Sequence, residues 1–144
     1  MIAVDTNILV RYAVKDDRHQ TSLATNFLAT HQCHVLKTVL LELVWVLSSP
    51  SGYQLDKTIV VGRLRHILGL PTVDMEEAPQ AAQALDWYEK GMDFGDAMHL
   101  AASQQLTGFA TMDSELTRKA SQWAPESHVI LVRWGGDTGK KVNY

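Results

Sequence analysis

Short apolar runs alternate with longer amphipathic stretches along the chain, a pattern typical of strands followed by helices. Because strands that alternate with helices form parallel sheets covered on both faces, the pattern predicts an α/β protein. We expect a three-layer α/β/α fold around a central sheet of short parallel strands. The predicted strands are residues 2–4, 34–36, 72–73, 109–111 and 129–132, and the predicted helices fill the segments between them.

Individual positions in these helices have predicted roles. The second helix is expected to bury Leu23 on its apolar stripe, and the helix over residues 55–68 is expected to bury Ile59. Thr38 is a candidate cap for the third helix, because threonine oxygens accept hydrogen bonds from free helical N–H groups. The helix that begins after Asp93 is expected to end near Gly108.

The chain has 144 residues, of which 46% are hydrophobic and 20% charged. This composition is typical of a soluble globular domain, and the length suffices for a hydrophobic core. We expect a single domain over residues 1–134, followed by a flexible tail over residues 135–144. A single cysteine, Cys33, excludes an intramolecular disulfide and a cysteine-rich zinc site. The absence of a signal sequence and of a long apolar run predicts a cytoplasmic protein without a membrane span.

The formal net charge of −3 argues against a protein that coats nucleic acid over a broad surface. A nucleic-acid groove would then depend on local basic clusters. The sequence offers three of these: Arg11 with Lys15 and Arg18, Arg63 with Arg65, and Arg118 with Lys119.

Carboxylates occur at the positions where a fold of this class places its ligands. Asp5 and Asp113 directly follow predicted strands, and ligands of parallel sheets bind beyond the carboxyl ends of strands. Glu42 lies in the segment Val39–Leu47, which is apolar on nearly every side and is expected to be buried. A buried carboxylate requires a cationic partner, a proton or a metal ion, so a salt bridge and a metal site are equally good explanations of Glu42.

Helix capping is an alternative explanation for the aspartates. Asp5 and Asp113 precede helices, where aspartate is a favoured N-cap. Asp93 and Asp96 are separated by three residues, which is the spacing of a capping box and also places both on one helical face. We interpret Asp93 mainly as a cap and secondarily as a metal ligand, and Asp96 as the better ligand.

Taken together, the acids Asp5, Glu42, Asp96 and Asp113 predict a metal site. Four neighbouring carboxylates would repel one another, and a divalent cation removes that repulsion. Oxygen ligands select Mg²⁺ or Mn²⁺ rather than zinc. Such an ion can polarise a phosphoryl oxygen and generate hydroxide from water, so the set favours phosphodiester hydrolysis.

Four motifs in this order resemble the PIN domain family, in particular the VapC toxins of bacterial toxin–antitoxin pairs. The motifs are Asp5-Thr6-Asn7, Glu42 in an apolar helix, residues 93–101, and residues 110–113. The resemblance extends from residue 1 to about residue 132. It implies that Asp5, Glu42, Asp96 and Asp113 bind metal, with Thr6, Asn7 and Thr111 as supporting polar residues. It also implies a Mg²⁺-dependent endoribonuclease that forms a homodimer, is inhibited by a VapB-like antitoxin, and assembles with it into a larger complex.

Two other functions are compatible with the sequence. One is a PIN-type nuclease that acts on DNA or in RNA maturation without an antitoxin. The other is a non-catalytic PIN-like module that works through a partner or through DNA. Arg11 is either an RNA phosphate contact or a solvated side chain, and His99 is expected on the helix surface. Trp45 is expected to pack in the core or in a dimer interface, and Trp134 is expected to pack rather than to stack on a base.

Overall fold

The computed structural model describes residues 1–134, and the predicted flexible tail, residues 135–144, lies outside the described residues. The described residues form two compact units, unit 1 (Met1–Ala81) and unit 2 (residues 82–134). The described part contains seven helices and five strands, and every strand pair is parallel. Helices and parallel strands alternate along the chain as the residue pattern predicts.

Unit 1 contains a three-stranded sheet in the order β1-β2-β3. Cys33 of β2 is aligned with Ile2 of β1 on one side and Val73 of β3 on the other. Because successive strands are parallel, a helical connection crosses between them each time. The elements are β1 (Ile2–Ala3), α1 (Thr6–Val14), α2 (Arg18–Thr30), β2 (Cys33–Val35), α3 (Lys37–Ser48), α4 (Lys57–Leu68) and β3 (Val73–Met75).

Aliphatic side chains from four helices form the core of unit 1. Helix α1 packs against α2, α3 and α4, and α3 also packs against α4. Full burial of one such side chain stabilises the fold by about 1.5–3 kcal/mol. The largest side chains with less than 2% exposure in the helices of unit 1 are Leu9, Leu28, Leu40, Leu43, Leu47, Val60, Val61, Leu64 and Ile67.

Unit 2 contains a two-stranded parallel sheet, in which Phe109 is aligned with Val129. Gly91 ends the first helix with φ of 126°, a conformation that disfavours any side chain. An added Cβ at Gly91 would also lie 2.8 Å from the Trp123 ring. The elements are α5 (Ala78–Lys90), whose first residues belong to unit 1, α6 (Phe94–Ala102), β4 (Phe109–Thr111), α7 (Ser114–Trp123) and β5 (Val129–Leu131).

The expectation that α3 is buried on every side is wrong. Leu40, Leu43 and Leu47 are buried, but Glu42 is exposed and Trp45 is 66% exposed. The buried positions repeat at intervals of three and four residues, so α3 buries one face and leaves the other in solvent although that face is partly apolar. Glu42 therefore needs no buried partner.

Two predicted core positions are also wrong. Leu23 is 60% exposed and Ile59 is 42% exposed. Ala24 of α2 and Val61 of α4 are buried instead. The inner faces of both helices are otherwise buried as expected, at Leu28 of α2 and at Val60, Leu64 and Ile67 of α4, so Leu23 and Ile59 lie at the solvent edge of each apolar stripe.

The predicted starts and ends of two helices need correction. Thr38 does not cap α3; the N-cap is Leu36, and the Lys37 N–H donates to Oε1 of Glu76 at 2.8 Å. Helix α6 ends at Ala102 rather than near Gly108. Trp134 is 97% exposed, so its predicted packing role is wrong as well. Within residues 1–134, no helix is both long and apolar enough to cross a membrane.

Candidate active site

Asp5 begins α1 directly after β1. Its backbone is extended, and Oδ1 accepts a hydrogen bond from the Thr6 N–H at 2.7 Å. Thr6 is buried, whereas Asp5 and Asn7 are exposed. The alternative role of Asp5 as a helix N-cap is thus confirmed. This bond uses one carboxylate oxygen, so capping and metal binding are compatible for the same side chain.

Glu42 projects from the exposed face of α3. Because α3 packs against α1 within unit 1, the helix that carries Glu42 neighbours the helix that Asp5 caps. Trp45 lies three residues beyond Glu42, within one helical turn, and is exposed on the same face. The exposed position gives Glu42 direct access to solvent and ligands.

Asp93 and Asp96 lie at the start of α6. Oδ2 of Asp93 accepts a hydrogen bond from the Asp96 N–H at 3.1 Å, which confirms Asp93 as the N-cap. Asp96 is half-buried in the first turn, where the positive end of the helix dipole faces its carboxylate. His99, one turn later, is exposed as predicted, and its ring stacks on Phe109 with the centroids 6.4 Å apart.

Asp113 begins α7 directly after β4. Its Oδ1 accepts hydrogen bonds from the N–H groups of Glu115 at 2.9 Å and Leu116 at 3.3 Å. The Asp113 N–H in turn donates to Oγ1 of Thr111 at 3.0 Å. Thr111 therefore orients the backbone at the turn, and Asp113 is a helix cap with one carboxylate oxygen outside these bonds.

The carboxylates of unit 2 act on one another. Burial raises the pKa of Asp96, and the negative charges of Asp93 and Asp113 raise it further. The positive charges of His99 and Lys119 oppose the shift without cancelling it. Asp96 is thus held in an environment that disfavours its charge, and a cation bound nearby would relieve that cost.

Neither unit, within its described residues, groups three or more His, Cys, Asp or Glu side chains closely enough to share a metal ion. The three acids of unit 2 therefore interact at longer range than direct ligation. The available donors are carboxylate oxygens, which match the preference of Mg²⁺ and Mn²⁺. A common site for all four predicted acids remains a prediction.

Arg11 is already engaged in an ion pair. Its Nη1 donates to Oδ1 of Asp16 at 3.1 Å, while Oδ2 of Asp16 accepts from the Tyr53 hydroxyl at 3.1 Å. Arg11 also lines an open groove between α1 and α2, together with Asn7. The residue pattern did not reveal this groove, because its α2 side includes Leu23, which was expected in the core.

The described fold defines an α/β protein with parallel strands, in which aspartate side chains cap α1, α2, α6 and α7. The sequence matches the PIN domain family over residues 2–122, and the chain therefore belongs to this family. All four predicted acids lie within the matched residues. PIN domains are generally metal-dependent nucleases. The family and the parallel strands are consistent with the predicted three-layer α/β/α fold. No curated protein matches the chain.

Proposed function

We propose that the chain is an endoribonuclease that depends on Mg²⁺ or Mn²⁺. Membership of the PIN domain family carries this proposal, because the match over residues 2–122 includes Asp5, Glu42, Asp96 and Asp113. The raised pKa of Asp96 supports it, since crowded carboxylates favour a bound cation. RNA would be the substrate, cleaved by hydrolysis of its phosphodiester bonds.

In this proposal, one group of residues binds the metal ion and another orients the metal ligands. Asp5, Glu42, Asp96 and Asp113 would hold the metal, with Asp93 as a further ligand. A bound divalent ion supplies Lewis-acid polarisation of the phosphoryl group and lowers the pKa of water. The capping bonds fix the side chains of Asp5 and Asp113 before substrate binds. Thr6, Asn7 and Thr111 would support this arrangement. Oγ1 of Thr111 accepts a hydrogen bond from the Asp113 N–H.

The proposed biological role is that of the toxin in a type II toxin–antitoxin system. The order and spacing of the four motifs, which resemble those of VapC toxins, support this role. A VapB-like antitoxin would inhibit the enzyme. The toxin would form a homodimer and join a larger toxin–antitoxin assembly.

Cleavage of a labelled single-stranded RNA by the purified protein tests the enzymatic proposal. We expect cleavage with Mg²⁺ or Mn²⁺ and none in EDTA. The cleavage rate should fall at least about hundredfold in Asp5→Asn and in Asp96→Asn, because metal ligation contributes several kcal/mol to such reactions. Asp56→Asn is the matched control, since the Asp56 side chain makes no capping bond at the start of α4. Unchanged activity in EDTA would contradict the metal mechanism.

Expression in bacteria tests the toxin role separately. We expect growth arrest that is rescued by co-expression of a short neighbouring gene encoding a DNA-binding antitoxin, and no arrest with Asp96→Asn. RNA cleavage in vitro without growth arrest would instead favour a PIN nuclease of RNA maturation. RNA binding without cleavage under any metal condition would favour the non-catalytic module.

A further inference from the structure

An open groove of ≈ 740 Å³ lies between α1 and α2 in unit 1. This α1–α2 groove is lined from α1 by Asn7 and Arg11, and from α2 by Leu23, Asn26 and Phe27. Its volume falls within the range of about 300–1,000 Å³ that is usual for ligand sites. The groove is therefore large enough for a ligand rather than for ordered water alone.

The apolar part of the groove offers surfaces for flat rings. The rings of Phe27 and His31 stack with centroids 4.1 Å apart and an interplanar angle of 15°. Leu23 is 60% exposed beside them. An exposed apolar side chain within a concave surface marks an interaction site, and aromatic rings in such a site stack with unpaired bases.

The polar part of the groove suits nucleic acid. Asn7, Gln20 and Asn26 contribute side-chain amides, each with donors and an acceptor that can meet the edge of a base. Among the described residues that line the groove, none is Asp or Glu. A phosphate backbone therefore meets no negative charge among these lining residues, although Arg11 itself is paired with Asp16 at 3.1 Å.

The groove begins beside a candidate metal ligand. Asn7 is two residues beyond Asp5, and Arg11 follows Asn7 by one helical turn. At 1.5 Å per residue, the α1 side of the groove extends from Asn7 to Arg11 over about 6 Å along the helix axis, and Asn7 lies about 3 Å along the axis from Asp5. Nucleotides next to a phosphate held near Asp5 would reach this surface.

We propose that the α1–α2 groove binds unpaired RNA bases flanking the cleaved bond and selects the cleavage sequence. This inference rests on the proposed ribonuclease function and adds a recognition site to it. Bases stack against Phe27 and Leu23, and the amides of Gln20 and Asn26 read their edges. Duplex RNA does not fit this arrangement, because its bases are stacked and paired with one another.

Two substitutions test the groove by steady-state cleavage and by sequencing the cut sites in a randomised single-stranded RNA. Leu23→Glu places a negative charge in the groove and should raise KM about tenfold with a smaller change in kcat. Asn26→Ala should change the preferred base near the cut. The control is Ile59→Glu, an exposed apolar residue on α4 outside the groove, which should leave KM and the cut sites unchanged. Circular dichroism of each variant verifies folding.

A measurement of RNA affinity tests the groove inference independently of the ribonuclease function. The affinity of Asp96→Asn protein for a fluorescent single-stranded RNA is measured without metal, alone and combined with Leu23→Glu. A weaker affinity with Leu23→Glu supports the groove even if the wild-type protein fails to cleave RNA. If Leu23→Glu changes neither the RNA affinity nor KM, the groove inference is overturned. Cleavage by the wild-type protein in that case still supports the ribonuclease function. A loss of dimer with Leu23→Glu at unchanged KM also overturns it and assigns the groove to protein contacts.

Discussion

Unit 1 presents its candidate acids on two separate helices, whereas unit 2 presents three acids that influence one another. Asp5 caps α1 and Glu42 stands on the exposed face of α3. In unit 2, Asp93 and Asp113 raise the pKa of Asp96, which is half-buried. Repulsion from Asp93 and Asp113 thus acts on Asp96, so the stability of unit 2 is a sensitive reporter of a bound cation.

The two units also differ in how they are built. The core of unit 1 consists mainly of branched aliphatic side chains from four helices. Unit 2 buries alanines together with large rings, among them Trp87, Tyr88 and Phe94, with Tyr88 and Phe94 packed edge to face. Each aromatic side chain buries a large area and gains from edge-to-face packing, so these three rings contribute strongly to the packing of unit 2.

The largest expected effect of substitution on stability comes from each core. Leu64→Ala in unit 1 and Met92→Ala in unit 2 both remove side chains with 0% exposure and should each destabilise the protein by about 2–5 kcal/mol. Urea unfolding, followed by circular dichroism and tryptophan fluorescence, measures the loss. Leu106→Ala, at 71% exposure, is the control and should change stability by less than about 0.5 kcal/mol.

The same unfolding curves test the prediction of a single domain over residues 1–134. The family match spans both units, so we expect one transition reported identically by both probes. Two separated transitions, each shifted by only one of the core variants, would show that the units unfold independently.

A smaller effect distinguishes capping from metal binding at Asp113. Asp113→Ala should lose about 1 kcal/mol of stability, because the N–H groups of Glu115 and Leu116 lose their acceptor. It should also lose all cleavage, because a proposed metal ligand is removed. Asp113→Asn should keep most of the stability, since an amide oxygen still accepts, but should lose cleavage. Thermal melts and RNA cleavage measure the two quantities.

Asp17 provides the matched control, because it caps α2 but has no proposed metal role. Its Oδ1 accepts a hydrogen bond from the Gln20 N–H at 2.9 Å. Asp17→Ala should lose about as much stability as Asp113→Ala and retain cleavage. Full cleavage by Asp113→Asn would contradict metal binding by Asp113 and leave helix capping as its role.

The smallest effect concerns the charge of Asp96. Because its pKa is raised in the folded protein, the folded state binds the proton more tightly than the unfolded chain. The charged carboxylate therefore lowers stability above the raised pKa, and this loss disappears as pH falls below the ordinary value of 3.8. Metal-free Asp96→Asn should melt about 1–3 °C higher than wild type at neutral pH, with the gain vanishing in acid.

Calorimetry at two pH values checks this sign, with Asp56→Asn as the control that should melt like wild type. Added Mg²⁺ should stabilise the wild-type protein more than Asp96→Asn. A lower melting temperature of metal-free Asp96→Asn at neutral pH would show that attraction to the α6 dipole outweighs burial and repulsion.

Local signals in the sequence were enough to predict much of the fold. Strand β4 and helix α7 have the predicted bounds at Asp113, because a capping aspartate between an apolar run and an amphipathic stretch is a local feature. The same holds for Asp93, which caps α6. The family resemblance, carried by motif order, is confirmed at the level of the PIN domain.

Features that depend on distant contacts could not be predicted. An almost wholly apolar helix contains no sign of which face meets solvent, so the exposure of Glu42 was missed. The ion pair of Arg11 involves the nearby Asp16, but Tyr53, 37 residues beyond Asp16, completes that network. The predicted grouping of the four acids likewise depends on contacts between segments separated by tens of residues, which a residue pattern does not contain.

The acceptor at the start of α3 has a consequence for how the chain folds. Leu36 offers no capping side chain, and the first helical N–H instead bonds to Glu76, 39 residues later and just beyond β3. Forming that bond requires closure of a long loop, which opposes early formation of the contact. The Lys37 N–H therefore gains this acceptor only when β3 lies beside β2, so the start of the helix that bears Glu42 is stabilised by a non-local contact.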